Sequence, residues 1–307
     1  MTSIMTNQSA MTALQSLTNT NKSLTQTQTR ISTGYRVSAA EDNAAYWSIA
    51  TTMRSDREAL STVKDALGLG AATLDVAYTG MNKAIDVTKE IKNKLVAARQ
   101  PGIDREKIQS EIGELQNQLK SIGDSSVFSG ENWLSVDSSA TGYNGTKTMI
   151  ASFSRSGGSV SVGTISVDVD GTKLFDANDQ SGILDKIDST TNGGVDYSVS
   201  DLDISGFTDT DNDLEDLEQM IGYVDDAISG MTTSASNLGA IKQRTKMQSE
   251  FVSGLMTAID RGVGALVDAD MNEESTRLQA LQVQQQLGIQ ALSIANQNSQ
   301  SILSLFR

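Results

Sequence analysis

The chain has neither cysteine nor histidine, and only one proline among its 307 residues. Without cysteine there is no disulfide and no thiolate chemistry; without histidine the commonest general base and metal ligand is missing. Ser/His and Cys/His nucleophilic arrangements are therefore excluded, as is a zinc peptidase helix. Basic residues are in deficit, 24 Lys and Arg against 38 Asp and Glu, for a net charge of −14. No sizeable basic patch stands out, which argues against nucleic acid as a partner, because phosphate contacts need clustered Lys and Arg. Long apolar runs are missing as well. The opening MTSIMTNQSAMTALQS has no basic n-region and no apolar h-region, so the expectation is a chain secreted without a cleaved signal or kept in the cytosol, with no membrane insertion. Gly68 and Gly70 lie inside a helical heptad series and follow no strand, so they make no phosphate cradle. A lone Pro101 suits long uninterrupted helices.

What is present is helical periodicity, most distinctively at the two ends. From Ser275 to Arg307 there is no acidic residue. One stripe runs through Leu278, Leu281, Gln285, Gly288, Leu292, Ala295, Ser299, Ile302 and Phe306, and a second through Leu287, Ala291, Ile294, Ser301 and Leu305. Two adjacent stripes are wider than a two-stranded seam requires, so this helix is expected to touch more than one neighbour. The opposite end is built the same way: from Ala10, the series Leu14, Leu17, Asn21, Leu24, Gln28, Ile31 steps by three and four. All 38 acidic residues fall between Glu41 and Glu274. The termini are therefore expected to pair with each other and with other copies, through Leu14, Leu17, Leu24, Ile31, Leu281, Leu292, Ile302, Leu305 and Phe306.

Between the ends, Gly34 breaks the periodicity, and Ser38 and Asp42 are placed to cap a new helix. A heptad series follows through Leu60, Val63, Leu67, Gly70, Leu74, Ala77, Met81, Ala84, Thr88, Ile91, Leu95 and Ala98, ended by Gln100-Pro101-Gly102. A shorter helix through Ile108, Ile112, Leu115, Leu119 and Ile122 stops at Gly123-Asp124. The stretch from Ser125 reads as a turn or hairpin. Val160, Val162, Ile165, Val167 and Val169 then suggest strands, with Asp170-Gly171 as a hairpin turn. Leu214, Leu217, Ile221, Val224, Ile228, Met231, Ala235 and Leu238 restore a helical seam. Its phase slips near Gly239 before Ile241, Thr245, Gln248, Val252, Leu255 and Ile259 resume. The fold class is mainly α: a long antiparallel coiled-coil bundle formed by the N- and C-terminal halves, with a small, mostly β domain inserted between them.

Few residues suggest a chemical site. Asp209 to Glu215 has the acidic spacing of a calcium loop, but Leu214 stands where the loop needs glycine and Met220 where it needs glutamate; a solvated helix start is the plainer reading, so no metal or cofactor is expected. Asp211, Asp213, Glu215 and Asp216 sit where a helix N-terminus favours negative charge. Asp168 and Asp170 read as exposed strand and turn residues. No carboxylate pair is singled out for hydrolysis, and no enzyme is expected. Tyr46 and Trp47 are expected to pack against a neighbouring helix, and Met53, Met81 and Met231 to lie in the core. Polar seam residues Asn21, Gln28 and Gln285 cost stability but can fix register.

Arg30-Ile-Ser-Thr-Gly-Tyr-Arg-Val with Ala40-Glu-Asp-Asn-Ala-Ala45, Phe128-Ser-Gly, Ser236-Asn-Leu-Gly-Ala-Ile, Asp268-Ala-Asp270, Gln284-Gln-Gln, Ala295-Asn-Gln and Ile302-Leu-Ser-Leu-Phe-Arg307 together resemble the bacterial flagellins, over about residues 1–137 and 214–307. Ala45-Tyr-Trp-Ser-Ile-Ala50 and Ser129-Gly-Glu-Asn-Trp133 resemble the forms found in rhizobia and agrobacteria. The resemblance implies a filament subunit for swimming motility, exported unfolded by the flagellar type III apparatus and located in the extracellular filament. It divides the chain into a terminal helical domain (1–43 and 268–307), a bundle (44–137 and 214–267) and a variable surface domain (138–213). It marks Arg30, Gly34, Arg36, Asp42 and Asn43 as a connector signature. The partners it implies are further copies, sibling flagellins, an export chaperone, and hook-associated junction and cap proteins. Two departures are expected to weaken immune recognition. Tyr46 stands where flagellins sensed by plants have a small glycine, and Thr88-Lys89-Glu90 stands where those sensed by the animal receptor carry Leu-Gln-Arg. Two alternatives stay open at this point: a hook-filament junction protein of the same superfamily, and a secreted binding module on a helical stalk.

Overall fold

The computed structural model describes residues 7–156 and 158–304, with side chains placed through Gln297. In chain order these form α1 (Gln8–Thr33), α2 (Ala44–Ala98), α3 (Arg105–Ser125), strands β1 (Val127–Phe128), β2 (Glu131–Asn132), β3 (Ser135–Val136), β4 (Thr146–Ser156), β5 (Ser159–Asp168), β6 (Phe175–Asp176), β7 (Asp188–Ser189) and β8 (Asp196–Tyr197), then α4 (Asp211–Val267) and α5 (Met271–Ser304). Two compact units result: Met1–Glu58 with Met256–Arg307, and Ala59–Leu255. No helix among the described residues is long and apolar enough to cross a membrane.

The Ala59–Leu255 unit is built on the α2 heptads. Of the twelve seam residues expected, Leu60 through Ala98, all but Gly70 are buried, and Leu67, Leu74, Met81, Ile91 and Leu95 completely so. Gly70 is where the insert packs: a Cβ there would overlap the Met149 side chain on β4. Across from α2, α4 buries Leu217, Val224, Met231 and Leu238 as expected, and adds Met220, Ala227 and Ser234. Asp211 and Asp213 lie in its first turn, but Asp216 does not act as a solvated dipole partner. It is 1% exposed, and its carboxylate accepts the Asn192 and Gly193 N–H groups. The slip at Gly239 is absorbed without a break, since α4 is continuous over 57 residues. Past the slip, Thr245 and Val252 are buried. α3 ends two residues beyond the expected Gly123 stop.

The expected hairpin after α3 is β1 paired antiparallel with β2, closed by Ser129 and Gly130, both at positive φ, the geometry of a two-residue I′ turn. The second hairpin corrects the sequence reading. Its partner strand is β4, whose polar alternation hid it, and it closes between Ser156 and Ser159, where Gly158 has φ +87°. Asp170-Gly171 is instead a tight turn leading on to β6, with the Thr172 and Lys173 N–H groups donating to Val169 O. Met149, Ala151, Ile165 and Val167 form the buried face of this hairpin. The remaining strands are two-residue ladders, β3 with β6 in parallel and β7 with β8 antiparallel, so a strand-containing middle region sits between helical halves.

The Asp209 and Asp213 carboxylates are engaged within the protein. Asp209 binds Arg105 at 2.7 Å and accepts the Gly102 N–H, and Asp213 accepts the Thr208 N–H and hydroxyl. Both carboxyls are held below the usual carboxylate range by these hydrogen bonds, led by Arg105 for Asp209 and by the Thr208 hydroxyl for Asp213.

Candidate assembly interface

In the other unit, α1 and α5 run antiparallel. Asn7 Nδ2 donates to Ala295 O at 2.9 Å, Gln285 Nε2 donates to Asn21 Oδ1 at 2.8 Å, and Arg30 pairs with Glu274 at 3.1 Å, so partners descend along α5 as they ascend along α1. The α5 stripe Leu278, Leu281, Gln285, Gly288, Leu292 and Ala295 is half-buried on this side. A Cβ on Gly288 would touch Leu17 Cδ1 at 3.1 Å.

On α1 the inner face differs from the expected one. Ala10, Leu17, Leu24 and Ile31 lie on it, but Ala13, Thr20 and Thr27 fill the alternate positions, while Leu14, Asn21 and Gln28 are exposed. Small residues there bring the helices closer than the larger Leu14 and Gln28 would allow. Threonines along α1 keep to helical rules, because their hydroxyls bond within the helix, as Thr25 does to Asn21 O. Asn21 and Gln285 nonetheless bond across the pair, a polar contact that distinguishes one register from its neighbours. Of the expected contact residues, Leu17, Leu24, Ile31, Leu281 and Leu292 are half-buried and Leu14 is 54% exposed. Ile302 lies in α5 without a described side chain, and Leu305 and Phe306 lie outside the described residues.

The described part of the second α5 stripe, Leu287, Ala291 and Ile294, faces solvent. Leu287 and Ile294 are 58% and 61% exposed, joined by Val283, one step of four before Leu287, which the two-stripe reading left out; Ile289, on another side of the helix, is exposed as well. Four half-exposed aliphatic side chains on a helix with no charge between Arg277 and Arg307 are unusual for a surface left in water. Burying them against a neighbour would contribute roughly 1 kcal/mol each.

The connector straps the end of α1 to the α4–α5 link. Gly34 takes φ +77° as the α1 C-cap, its N–H donating to Arg30 O at 2.8 Å and its carbonyl accepting the Ala269 N–H at 2.9 Å. Arg36 and Val37 both donate their backbone N–H to Val267 O, the Arg36 guanidinium reaches Leu266 O at 2.9 Å, and Tyr35 bridges Asp268. Val37 then completes a small core with Ala50, Val263 and Val267, against which Met53 packs. Asp42 does not take the α2 cap expected of it; its Oδ2 turns back to the Ser38 N–H, the Ser38 hydroxyl and the Ala39 N–H. These bonds, led by Ala39, hold its carboxyl below the usual range. Asn43 is the actual α2 cap, accepting the Tyr46 N–H at 3.1 Å, and Asp270 caps α5. Glu274, 4% exposed, takes both Arg30 and Arg277 on Oε1. It is the last acidic residue of the chain, the one sequence signal that pointed to it. Tyr46, Trp47 and Ile49 are not packed away as expected: they are 41%, 38% and 47% exposed. Replacing Gly34 by Ala meets no steric neighbour, so only the left-handed backbone resists it; we expect a loss of about 1 kcal/mol, measured by denaturant unfolding.

Residues 4–139 match the family described as the bacterial flagellin N-terminal helical region, and residues 221–306 the bacterial flagellin C-terminal helical region. The chain belongs to the flagellin family. Flagellin C of Rhizobium meliloti strain 1021 is 54% identical over 322 residues, covering all of both chains; Flagellin A of the same strain is 44% identical and a flagellin of Brucella melitensis biotype 1 is 45% identical, again over the full length of each. The alphaproteobacterial likeness of Tyr46-Trp47 and Ser129 to Trp133 thus agrees with these relatives. As a flagellin, the protein is a structural subunit of the flagellar filament, the extracellular helical polymer of motility, and self-polymerisation is its family's mode of action. Full-length similarity to flagellins disfavours both the junction protein and the stalked binding module.

Proposed function

We propose that the α1–α5 pair, with the connector that holds it, is the inner assembly element of the filament and acts without any catalytic role. The observation that carries this reading is the uncharged, exposed stripe Val283, Leu287 and Ile294 beside a helix pair that already satisfies its own inner seam. Charges in a tightly packed assembly would be left without water or partners, at heavy cost, and a heterologous contact that does not close propagates as an open filament. Within this reading the chain divides into terminal helices (1–43 and 268–307), bundle (44–137 and 214–267) and surface insert (138–213). Leu14, Leu292, Ile302, Leu305 and Phe306 make subunit contacts. Export runs through the flagellar type III apparatus. A C-terminal chaperone, junction and cap proteins, and sibling flagellins are the further partners, and nucleic acid is not one.

Seeded polymerisation tests it: monomer added to short filament fragments is followed by electron microscopy, and the intact chain is expected to extend the seeds into long filaments. A chain that only caps the seeds would return the junction protein to the lead.

The same reading predicts weak sensing by both immune receptors, since Tyr46 presents a ring at a surface position and Glu90 reverses the charge of the animal receptor's motif, while Thr88 is buried and bonded to Ala84 O. A Thr29–Ala50 peptide should give little response in plant cells, and full-length monomer little in receptor-expressing animal cells. A strong response in either assay refutes the corresponding half.

A further inference from the structure

An open filament needs two different, complementary surfaces on every copy, because a contact that does not close joins one patch to another rather than to itself. The chain displays two such patches, and pairing them rests on the filament reading. One is the start of α2. Ala44 to Met53 carries no charge in a chain that is 20% charged, and it displays Tyr46, Trp47 and Ile49 to solvent. A tryptophan so placed offers a large apolar body with one N–H that seeks an acceptor once buried.

The other patch is an open groove of about 570 Å³ between α2 and α4 at the heptad slip, lined by Leu67, Gly68, Ala71, Tyr78, Gly239 and Thr245. Small residues create it: a Cβ on Gly68 would meet nothing within 4 Å. Asp75, Lys242, Lys246 and Glu250 line it as well, with Lys242 paired to Asp75 at 2.8 Å, and Gln243 and Glu250 supply acceptors.

We propose that Tyr46, Trp47 and Ile49 of one copy dock in the α2–α4 groove of a second copy, as a knob-and-notch contact of the filament. The groove offers the uncharged knob apolar surface at Ala71 and Tyr78 and, in Gln243 and Glu250, acceptors for the Trp47 N–H, and self-polymerisation makes a second copy the partner that would bring the two together.

The absence of native cysteine makes the test direct. A chain carrying both Trp47→Cys and Gly68→Cys is polymerised on wild-type seeds and oxidised. The expected result is a ladder of disulfide-linked multimers from filaments and single chains from unpolymerised protein, because one copy's knob meets the next copy's notch. Filaments that yield no ladder overturn the pairing and leave the filament reading standing; wild-type monomer that does not extend seeds defeats the filament reading itself. Should the double variant not assemble, Gly68→Phe against Gly68→Ala decides. Filling the notch should raise the critical concentration about tenfold or more at unchanged melting temperature, with Gly68→Ala near wild type. Equal critical concentrations for all three chains overturn the proposal.

Discussion

Removing residues 293–307 is expected to abolish seeded filament growth while leaving the unfolding transition of the Ala59–Leu255 unit in place. The two outcomes separate because that unit keeps its own core, in which Leu67, Leu74, Met81, Ile91, Leu95, Ile112, Leu119 and Leu134 are all fully buried. The deletion takes Ile294 from the exposed α5 stripe and removes the Asn7–Ala295 hydrogen bond that ties the N-terminal end of α1 to α5. It also removes Ile302, Leu305 and Phe306. Losing even 3 kcal/mol of contact per subunit raises the critical concentration on the order of a hundredfold, which takes growth below detection at ordinary protein concentrations. Electron microscopy reads the first outcome and circular dichroism melting the second. Normal filaments from the shortened chain would remove the terminal helices from the account.

Asp176→Ala is expected to destabilise the Ala59–Leu255 unit by about 3–5 kcal/mol, the usual cost of leaving a buried charge without its partner. Asp176 is 1% exposed and Lys173 6%. Its carboxylate accepts Lys173 Nζ at 2.7 Å, the Ser138 N–H and hydroxyl, the Asn178 N–H and the Ser181 hydroxyl. These donors tie β6 to the segment after β3, so the substitution takes the closer carboxylate from the Lys173 ammonium, leaving it Asp170 at 3.6 Å, and loosens the parallel β3–β6 ladder together. Burial alone would push the Asp176 carboxyl up; Lys173, with the Ser138 and Asn178 N–H groups, outweighs it and holds the carboxyl well below the usual carboxylate range. With a depressed folded-state pKa, the stabilisation is fully present above the unfolded carboxyl value near pH 3.9 and is lost as pH falls below it toward the folded value. Asp185, beside it, runs the other way: burial raises its carboxyl, so protonation relieves a cost as pH falls. The wild-type advantage over Asp176→Ala should therefore be constant above about pH 5 and shrink in stronger acid, as read from urea unfolding at a series of pH values. An advantage that grew on acidification would contradict the assignment.

Much of this molecule was legible in its sequence because its long helices repeat. Leu60 to Ala98 could be placed on a seam residue by residue, since a sustained heptad leaves one face to bury and one way to bury it. The α1 face was placed less well, because the seam alternates Leu17, Leu24 and Ile31 with Ala13, Thr20 and Thr27, and a hydrophobicity pattern prefers Leu14 to Ala13. Close helix approach rewards the smaller residue, which only the partner helix reveals. The insert was harder for the same reason: β4 reads as polar alternation, and its identity depends on pairing with β5 and on Met149 meeting Gly70. Of the site, the connector signature was visible as Arg30, Gly34, Arg36, Asp42 and Asn43, but the bonds each makes were not. The capping role expected of Ser38 and Asp42 fell to Asn43, and Glu274, which gathers two arginines, had no periodicity to mark it. The exposure of Tyr46 and Trp47 was opposite to expectation; on the docking proposal, they answer to a neighbour that a single chain does not contain.

The most direct test of the terminal-helix account is hydroxyl-radical footprinting of the monomer and of seeded filaments, comparing side-chain reactivity residue by residue. Leu14, Val283, Leu287 and Ile294, exposed in the single chain, should lose most of their reactivity on assembly, while Val160 and Val162 on the insert hairpin, exposed to a similar degree, should keep theirs. Terminal side chains that stay reactive in filaments while the insert becomes protected would contradict the account and move the assembly surface to the middle of the chain.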